Sequence, residues 1–236
     1  MAGLVLCAAA GALLWRLVTV DTPAKGTNAM VLPRRASLVA HDSSGLEHNG
    51  VNQGALVLGL PGHLGTSYGV SRSGSWIEVP SSPDLNPGTR NFRFSLWVNF
   101  KAAPEGRQSF DMVRKGLSYT TTGEYKVEII HDGRVRCTAK DSTGHWARSI
   151  VWKTNVTDGR WHRIGCAREG DHWIAFADRQ RESHDSRLRS ISNDMSLSIG
   201  SKYGFEDLPD GRLDEVRLQI GGRLVGLWHL DEHGSP

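Results

Sequence analysis

Residues 157 to 178, TDGRWHRIGCAREGDHWIAFAD, bring together His162, His172, Cys166 and three aspartates, Asp158, Asp171 and Asp178. These are the side chains of zinc sites and of acid–base or thiol catalysis. Their spacing decides against a local site. RWHRIGCA and HWIAFA read as two strands joined by the turn REGD, in which Gly170 supplies a permissive backbone. Four residues along a strand separate His162 from Cys166 by about 13 Å. Zinc holds its ligands at roughly 2.0–2.3 Å, so these two cannot share one ion. His172 can approach His162 across the hairpin, but no third and fourth soft ligand accompanies them. Structural or solvent roles are expected for both histidines.

Other catalytic patterns are weaker. GTSYG, residues 65–69, satisfies the nucleophile pattern G-x-S-x-G at Ser67, but that motif needs a strand-to-helix elbow and no helical periodicity follows. With 27 glycines in the chain, a chance match is unsurprising. There is no C-x-x-C, H-E-x-x-H or S-x-x-K pattern and no phosphate-cradling glycine loop leading into a helix. A sandwich glycosidase would set two carboxylates at alternating strand positions, both facing the cleft. Asp214 and Glu215 are adjacent and point to opposite faces.

The elements that must position these residues are strands. In FRFSLWVNF, Phe92, Phe94, Leu96, Val98 and Phe100 share one face, and Arg93, Ser95, Trp97 and Asn99 the other. Similar segments recur in ALVLGL, SWIEVP, YKVEII, RVRCTA, ARSIVW, SLSIG, DEVRLQI and LVGLWHL. Gly, Pro, Asp, Asn and Ser clusters separate them. The chain therefore reads as all-β, a sandwich or jelly roll of two antiparallel sheets. Its 236 residues, 39% apolar and 22% charged, suit one core, and residues 38–236 are taken as one domain. The net charge of +3 is small and acids interleave with bases along the chain, which disfavours nucleic acid as a partner.

Before the domain, LVLCAAAGALLW (Leu4 to Trp15) has the length of a signal-peptide core and is too short for a comfortable membrane span. Residues 1–20 are expected to be a signal peptide or membrane anchor, with cleavage near Ala24 or Ala29. Residues 21–37 are then a linker. A secreted protein, or one on the extracellular face of a membrane, follows, and an anchor would be its sole membrane contact.

Several of these segments, in order, carry a resemblance. SWIEVPSSPDLNP, FRFSLWVNF, VRKG, DGRWHRIGCAREGDHWIAFADR and SLSIGSKYGFEDLPDGRLDEVRL are similar to successive segments of the laminin G-like, concanavalin A-like lectin (jelly-roll) domains of exported bacterial proteins. The resemblance runs from about Leu38 to Ile220 and implies the sandwich fold; it says little about function, since the architecture serves many roles. Two departures stand out. Where the family has Val-Asp-Gly, this chain has Ala177, Asp178 and Arg179, so loss of the tight turn and a rebuilt basic loop are expected. LVGLWHLDEHGSP resembles the family's first strand rather than its last, and is expected to fill that place in a permuted order; the alternative is the start of a second repeat.

The resemblance also implies Ca²⁺ at the sandwich rim. The matching loops are KDSTG, with Asp141, and SNDM, with Asn193 and Asp194, whose oxygens suit a hard cation. Turn capping is the competing reading. Trp97, opposite the apolar face of its strand, and Trp146, after a Gly-His turn, are the tryptophans placed to stack on a sugar; burial in packing is the alternative. The basic segment ADRQRESHDSRLRS reads as a solvated loop, with binding of acidic polymers as the minor alternative. Together these readings point to a non-enzymatic extracellular module for a glycan or cell-surface ligand. A divergent polysaccharide hydrolase or lyase, or a purely structural domain, is the alternative. Oligomeric state stays open.

The two cysteines of the domain complete the reading. Val135, Cys137 and Ala139 share one face of their strand, and Cys166 shares the face of Ile164. Both point inward, and a Cys137–Cys166 disulfide is expected, with two buried thiols as the alternative.

Overall fold

The computed structural model describes residues 39–72, 74–205 and 209–233. The expected export segment and linker, Cys7 included, lie outside them. None of the described helices is long and apolar enough to cross a membrane.

Among the described residues sixteen strands run in the order β1 (Val39–Ala40), β2 (Gly50–Gln53), β3 (Val57–Pro61), β4 (Thr66–Val70), β5 (Trp76–Val79), β6 (Phe92–Phe100), β7 (Ser109–Lys115) and β8 (Glu124–Ile130). They continue through β9 (Val135–Lys140), β10 (Trp146–Val151), β11 (His162–Glu169), β12 (His172–Ala177), β13 (Gln180–Asp185), β14 (Leu197–Ile199), β15 (Gly211–Ile220) and β16 (Arg223–Trp228). One 3₁₀ turn, Pro83–Leu85, is capped by the Ser82 hydroxyl. The first sheet has the order β1-β2-β5-β14-β7-β8-β9-β10 and the second β13-β12-β11-β6-β15-β4-β3. Every pairing is antiparallel, and the two sheets stack as the expected sandwich.

Alternation along each strand builds the core. Phe92, Phe94, Leu96, Val98 and Phe100 of β6 are buried against Tyr125, Val127 and Ile129 of β8. Phe94 and Tyr125 meet at 5.1 Å between ring centroids. Cys137 of β9 and Cys166 of β11 lie in opposite sheets and are bonded across this core, with Cα atoms 5.7 Å apart.

β15 changes partner midway. Gly211–Leu213 pair with β4 and Val216–Ile220 with β16, while β6 follows both halves on the other edge. A bulge at Asp214–Glu215 makes the change, with Glu215 at φ 50°. The extra residue lets Leu213 and Val216 both face the core although three positions apart. At the end of β16, Trp228 is fully buried and its indole N–H donates to the His48 carbonyl at 2.9 Å. Ser43 N–H donates to Leu227 O at 2.7 Å, so the C-terminal strand packs against the segment after β1.

One departure from the expected fold concerns the Ala-Asp-Arg sequence. The turn is kept: Ala177 pairs with Gln180 around Asp178 and Arg179, and Asp178 takes the left-handed conformation (φ 52°) that glycine would supply. The expected rebuilt loop is instead an edge strand, β13, and its polar exposed residues are the kind that blunt a sheet edge.

The bond between Cys137 and Cys166 closes a loop with a sequence separation of 29. Replacing both cysteines with alanine should lower unfolding free energy by roughly 3–4 kcal/mol in urea titrations, from loop entropy. In denaturant without reductant, the full chain should titrate with fewer thiols than the three found after reduction.

Candidate functional site

The outer face of the first sheet is made of charge. β8 turns Glu124, Lys126 and Glu128 outward because Tyr125, Val127 and Ile129 take the core positions between them. β9 adds Arg136, Thr138 and Lys140 on the same face, and β10 adds Trp146 and Arg148. The register arranges these in rows. Trp146 pairs with Lys140 and Lys140 with Glu124; Arg148 pairs with Thr138, Thr138 with Lys126 and Lys126 with Arg114; Arg136 pairs with Glu128 and Glu128 with Asp111.

The floor is neutralised internally. Arg114, almost fully buried, bonds Asp111 and donates to Glu124 at 3.0 Å. Lys126 lies 2.6 Å from Glu128, and Arg136 donates to Glu128 at 2.8 and 3.0 Å. Burial works to raise the Glu128 pKa, but Arg136 and Lys126 outweigh it and hold the carboxyl well below the usual carboxylate range. Burial likewise opposes charge on Arg114, and Asp111 and Glu124 reverse that, so its pKa is raised. Arg114, Glu124, Lys126, Glu128 and Arg136, but not Asp111, line a cavity of about 190 Å³ together with Ser118, Thr138, Trp146, Arg148 and Lys202. Trp146 is 45% exposed at its rim, and the Lys140 ammonium lies 5.4 Å from its ring centroid. A flat aromatic ring beside a floor of fixed donors and acceptors can grip a flat polyhydroxylated ligand.

Glu124 and Glu128 share one face of one strand, and Asp111 stands directly across from Glu128. The strand reading of YKVEII overlooked the first pair. The second depends on β7, a strand that its charged residues conceal.

Trp97 is not the platform its strand position suggests. His63, from the loop between β3 and β4, stacks on it with ring centroids 3.5 Å apart and planes at 16°. That loop is held by Asp214, whose Oδ2 accepts the N–H groups of His63 (2.6 Å) and Leu64 (2.9 Å). Burial raises the Asp214 pKa, and its Oδ1 is buried without a hydrogen-bond partner among the described residues. Alternation predicts an outward Trp97 correctly, but a loop 34 positions upstream covers one ring face. Ser67 lies on β4 with its hydroxyl donating to the carbonyls of Leu60 and Pro61, and it has no helix behind it.

The residues expected at a calcium site have other partners. Asp141 Oδ1 accepts from Thr143 N, Thr143 Oγ1 and His145 N, and Oδ2 from Arg189 N. Burial pushes its pKa up, but these bonds prevail and hold it low. The Lys115 ammonium, fully buried, donates to Asn193 O (2.8 Å), Asn193 Oδ1 (3.2 Å), Met195 O (2.5 Å) and Ser81 Oγ (3.2 Å). Burial lowers its pKa to about 8, with Asp194 pulling the other way. Asp194 lines a separate rim hollow of about 510 Å³ with Ser81, Pro83, Asn86, Gly88, Ser190 and Ser192, which offers no aromatic platform. As arranged, Asp141, Asn193 and Asp194 do not fit one Ca²⁺ ion, since N–H groups hold the first and an ammonium the second.

His172 lies 3.1 Å from Asp185 at the exposed edge. His162 is more enclosed: Nδ1 is 2.8 Å from Asp178 Oδ2, and Nε2 is 2.8 Å from Asp158 Oδ1. Desolvation lowers its pKa, but the two carboxylates outweigh it and raise the group above its ordinary value. Nδ1 thus ties β11 to the β12–β13 turn through Asp178, and Nε2 ties it to the segment before β11 through Asp158.

This arrangement defines a class of protein, a jelly-roll sandwich with polar outer faces. The sequence pattern of the concanavalin A-like lectin/glucanases superfamily matches residues 71–219, and the chain belongs to that superfamily. No curated protein matches the chain in sequence. Among solved structures it is similar to domain 4 of AbnA, an extracellular GH43 arabinanase from Geobacillus stearothermophilus, in complex with arabinotriose. That match has 15% identity and a TM-score of 0.56, covering 81% of this chain and 89% of that one. It is also similar to the binding domain of Paraclostridial Mosquitocidal Protein 1 (14%, TM-score 0.54, 84% of this chain and 49% of that). A third match is botulinum neurotoxin type C, whose cell entry depends on interaction with two ganglioside molecules (12%, TM-score 0.59, 78% and 45%). The chain spans about half the length of these toxin chains. At such identities the likeness is one of fold.

The raised His162 pKa gives a direction for stability against pH. The stabilisation from the imidazolium should be complete below the unfolded value, about 6.5, and decline as pH rises through the higher folded value. Urea midpoints across pH 5 to 9 should show this decline, and His162→Gln should flatten it. Lys115→Met should cost about 2–3 kcal/mol, because it leaves buried oxygens without a donor.

Proposed function

We propose that the chain is a non-catalytic extracellular binding module that holds a glycan in the cavity beside Trp146. The observation carrying this reading is a half-exposed indole ring at the rim of a cavity floored by charged groups already paired with one another. Such a floor offers directed hydrogen bonds without a large desolvation penalty for isolated charges. A similar structure that is a toxin binding domain, and another in complex with arabinotriose, support a binding role. The disulfide accords with an oxidising, extracellular compartment.

The hydrolase reading has one observation in its favour, the facing carboxylates Asp111 and Glu128. A glycosidase needs one carboxyl able to hold a proton near neutral pH while its partner stays ionised. Arg136 and Lys126 stabilise the ionised form of Glu128, and Arg114 bonds Asp111, so neither carboxyl is set up as the acid.

A glycan array that includes arabino-oligosaccharides should return binding without release of reducing ends. Trp146→Ala should weaken it about ten-fold or more with the melting temperature little changed, because the ring lies outside the core. Sustained turnover abolished by Glu128→Gln would establish the hydrolase instead.

A further inference from the structure

The outer face of the second sheet gathers arginines from four strands. The register sets Arg181 of β13 beside Phe176 of β12, Phe176 beside Gly165 of β11, Gly165 beside Ser95 of β6, and Ser95 beside Arg217 of β15. Arg163 stands two residues from Gly165 on β11, and Arg93 two residues from Ser95 on β6. Four guanidinium groups therefore surround a floor made by Gly165 and Ser95. A Cβ added at Gly165 would lie 2.4 Å from the Phe176 ring and 2.2 Å from the Phe94 carbonyl, so only glycine fits there.

These arginines are close enough to act on one another. Arg93 lies over the Phe176 ring, 4.3 Å from its centroid, and its buried Nε has no hydrogen-bond acceptor among the described residues. Burial and the charges of Arg163 and Arg181 all disfavour its cationic form, with Glu169 alone acting the other way. Glu169 is itself 2.5 Å from Arg181. Arg163 donates to the Ser95 hydroxyl at 3.3 Å, and Arg217 is exposed. Asp214, the nearby acid on β15, is engaged by the N–H groups of the His63 loop. The patch thus holds more cationic than anionic charge and has unused donor capacity.

We propose that this face is a second binding surface, separate from the Trp146 cavity on the opposite sheet, and that it takes an anionic polysaccharide bearing carboxylate or sulfate groups. Guanidinium groups recognise such planar or trigonal oxyanions through paired N–H bonds. Arg181 and Arg217 end a row of five strands about 19 Å across, several sugar units long. The centre of the row is the floor of Gly165 and Ser95, flanked by the half-buried Arg93 and Arg163. A thin flexible chain can lower its anionic substituents onto that floor, whereas duplex phosphates on a wide cylinder or headgroups in a membrane plane reach only the exposed Arg181 and Arg217.

The test uses the full chain with heparin and polygalacturonate as probes and dextran as the neutral control. Size-matched duplex DNA and phosphatidylserine vesicles form the alternative arms. At least one of the two anionic polysaccharides is expected to bind, with affinity falling as salt rises, and dextran is not. The exposed pair Arg181→Gln and Arg217→Gln should weaken that binding about ten-fold and reduce its salt dependence. Arg93→Gln, made separately, should weaken it further. Trp146→Ala should leave it unchanged, which keeps the outcome separate from that of the glycan cavity. The proposal is overturned by binding unaffected by the arginine substitutions, by equal binding of dextran, by failure of both anionic polysaccharides to bind, or by tighter binding of DNA or vesicles.

Discussion

The covalent tie across the core is the constraint on which the other features depend. Cys137 and Cys166 belong to different sheets, so their bond fixes which stretch of β9 lies opposite which stretch of β11. With that contact set, alternation directs Val135 and Ala139, Ile164, and the aromatic row of β6 into one apolar layer. Their neighbours are directed outward on both sides. The two outer faces then follow, since each inward residue commits the next to the outside.

The faces have different chemistry because different strands supply them. On the first sheet, β7, β8 and β9 contribute acids and bases in register, and the charges cancel in a buried network under Trp146. Such a network adds little net stability compared with apolar packing, but it fixes side-chain positions once every member is satisfied. On the second sheet the arginines are not matched in the same way. A stacked His63 covers one face of the Trp97 ring there, and among the described residues no such stack covers Phe176, which Arg93 overlies. Pre-paired charge on one side suits directed hydrogen bonding to a neutral ligand, and unmatched charge on the other suits an anion.

Several features were legible from residue order alone. FRFSLWVNF and RVRCTAK alternate, and Cys137 and, beside Ile164, Cys166 fall on inward faces, so the sandwich could be read and a disulfide expected, with two buried thiols as the alternative until the strands were placed. β7 was not legible, since SFDMVRK carries Asp111, Arg114 and Lys115 on a strand whose seven residues are all buried. Charged residues signal exposure in a sequence, and only a neighbouring strand with complementary charge reverses that signal. β13 was hidden for the opposite reason: as an edge strand it has a polar, exposed pattern that matches a loop.

By itself the sequence determined the all-β class, the inward set of β6, β9 and β11, and the unsuitability of His162 and Cys166 for one metal ion. Each of these depends on spacing along one strand, which is local and periodic. Which strands become neighbours is set by how the sheets close, and that decided the rest. Asp111 meets Glu128, Lys115 occupies the oxygens of Asn193, and His63 covers Trp97 only in the folded chain. The arginines at positions 93, 163, 181 and 217 look interleaved with acids when read in order. The antiparallel register removes the intervening residues and leaves the four on one face, because pairing between strands is independent of distance along the chain.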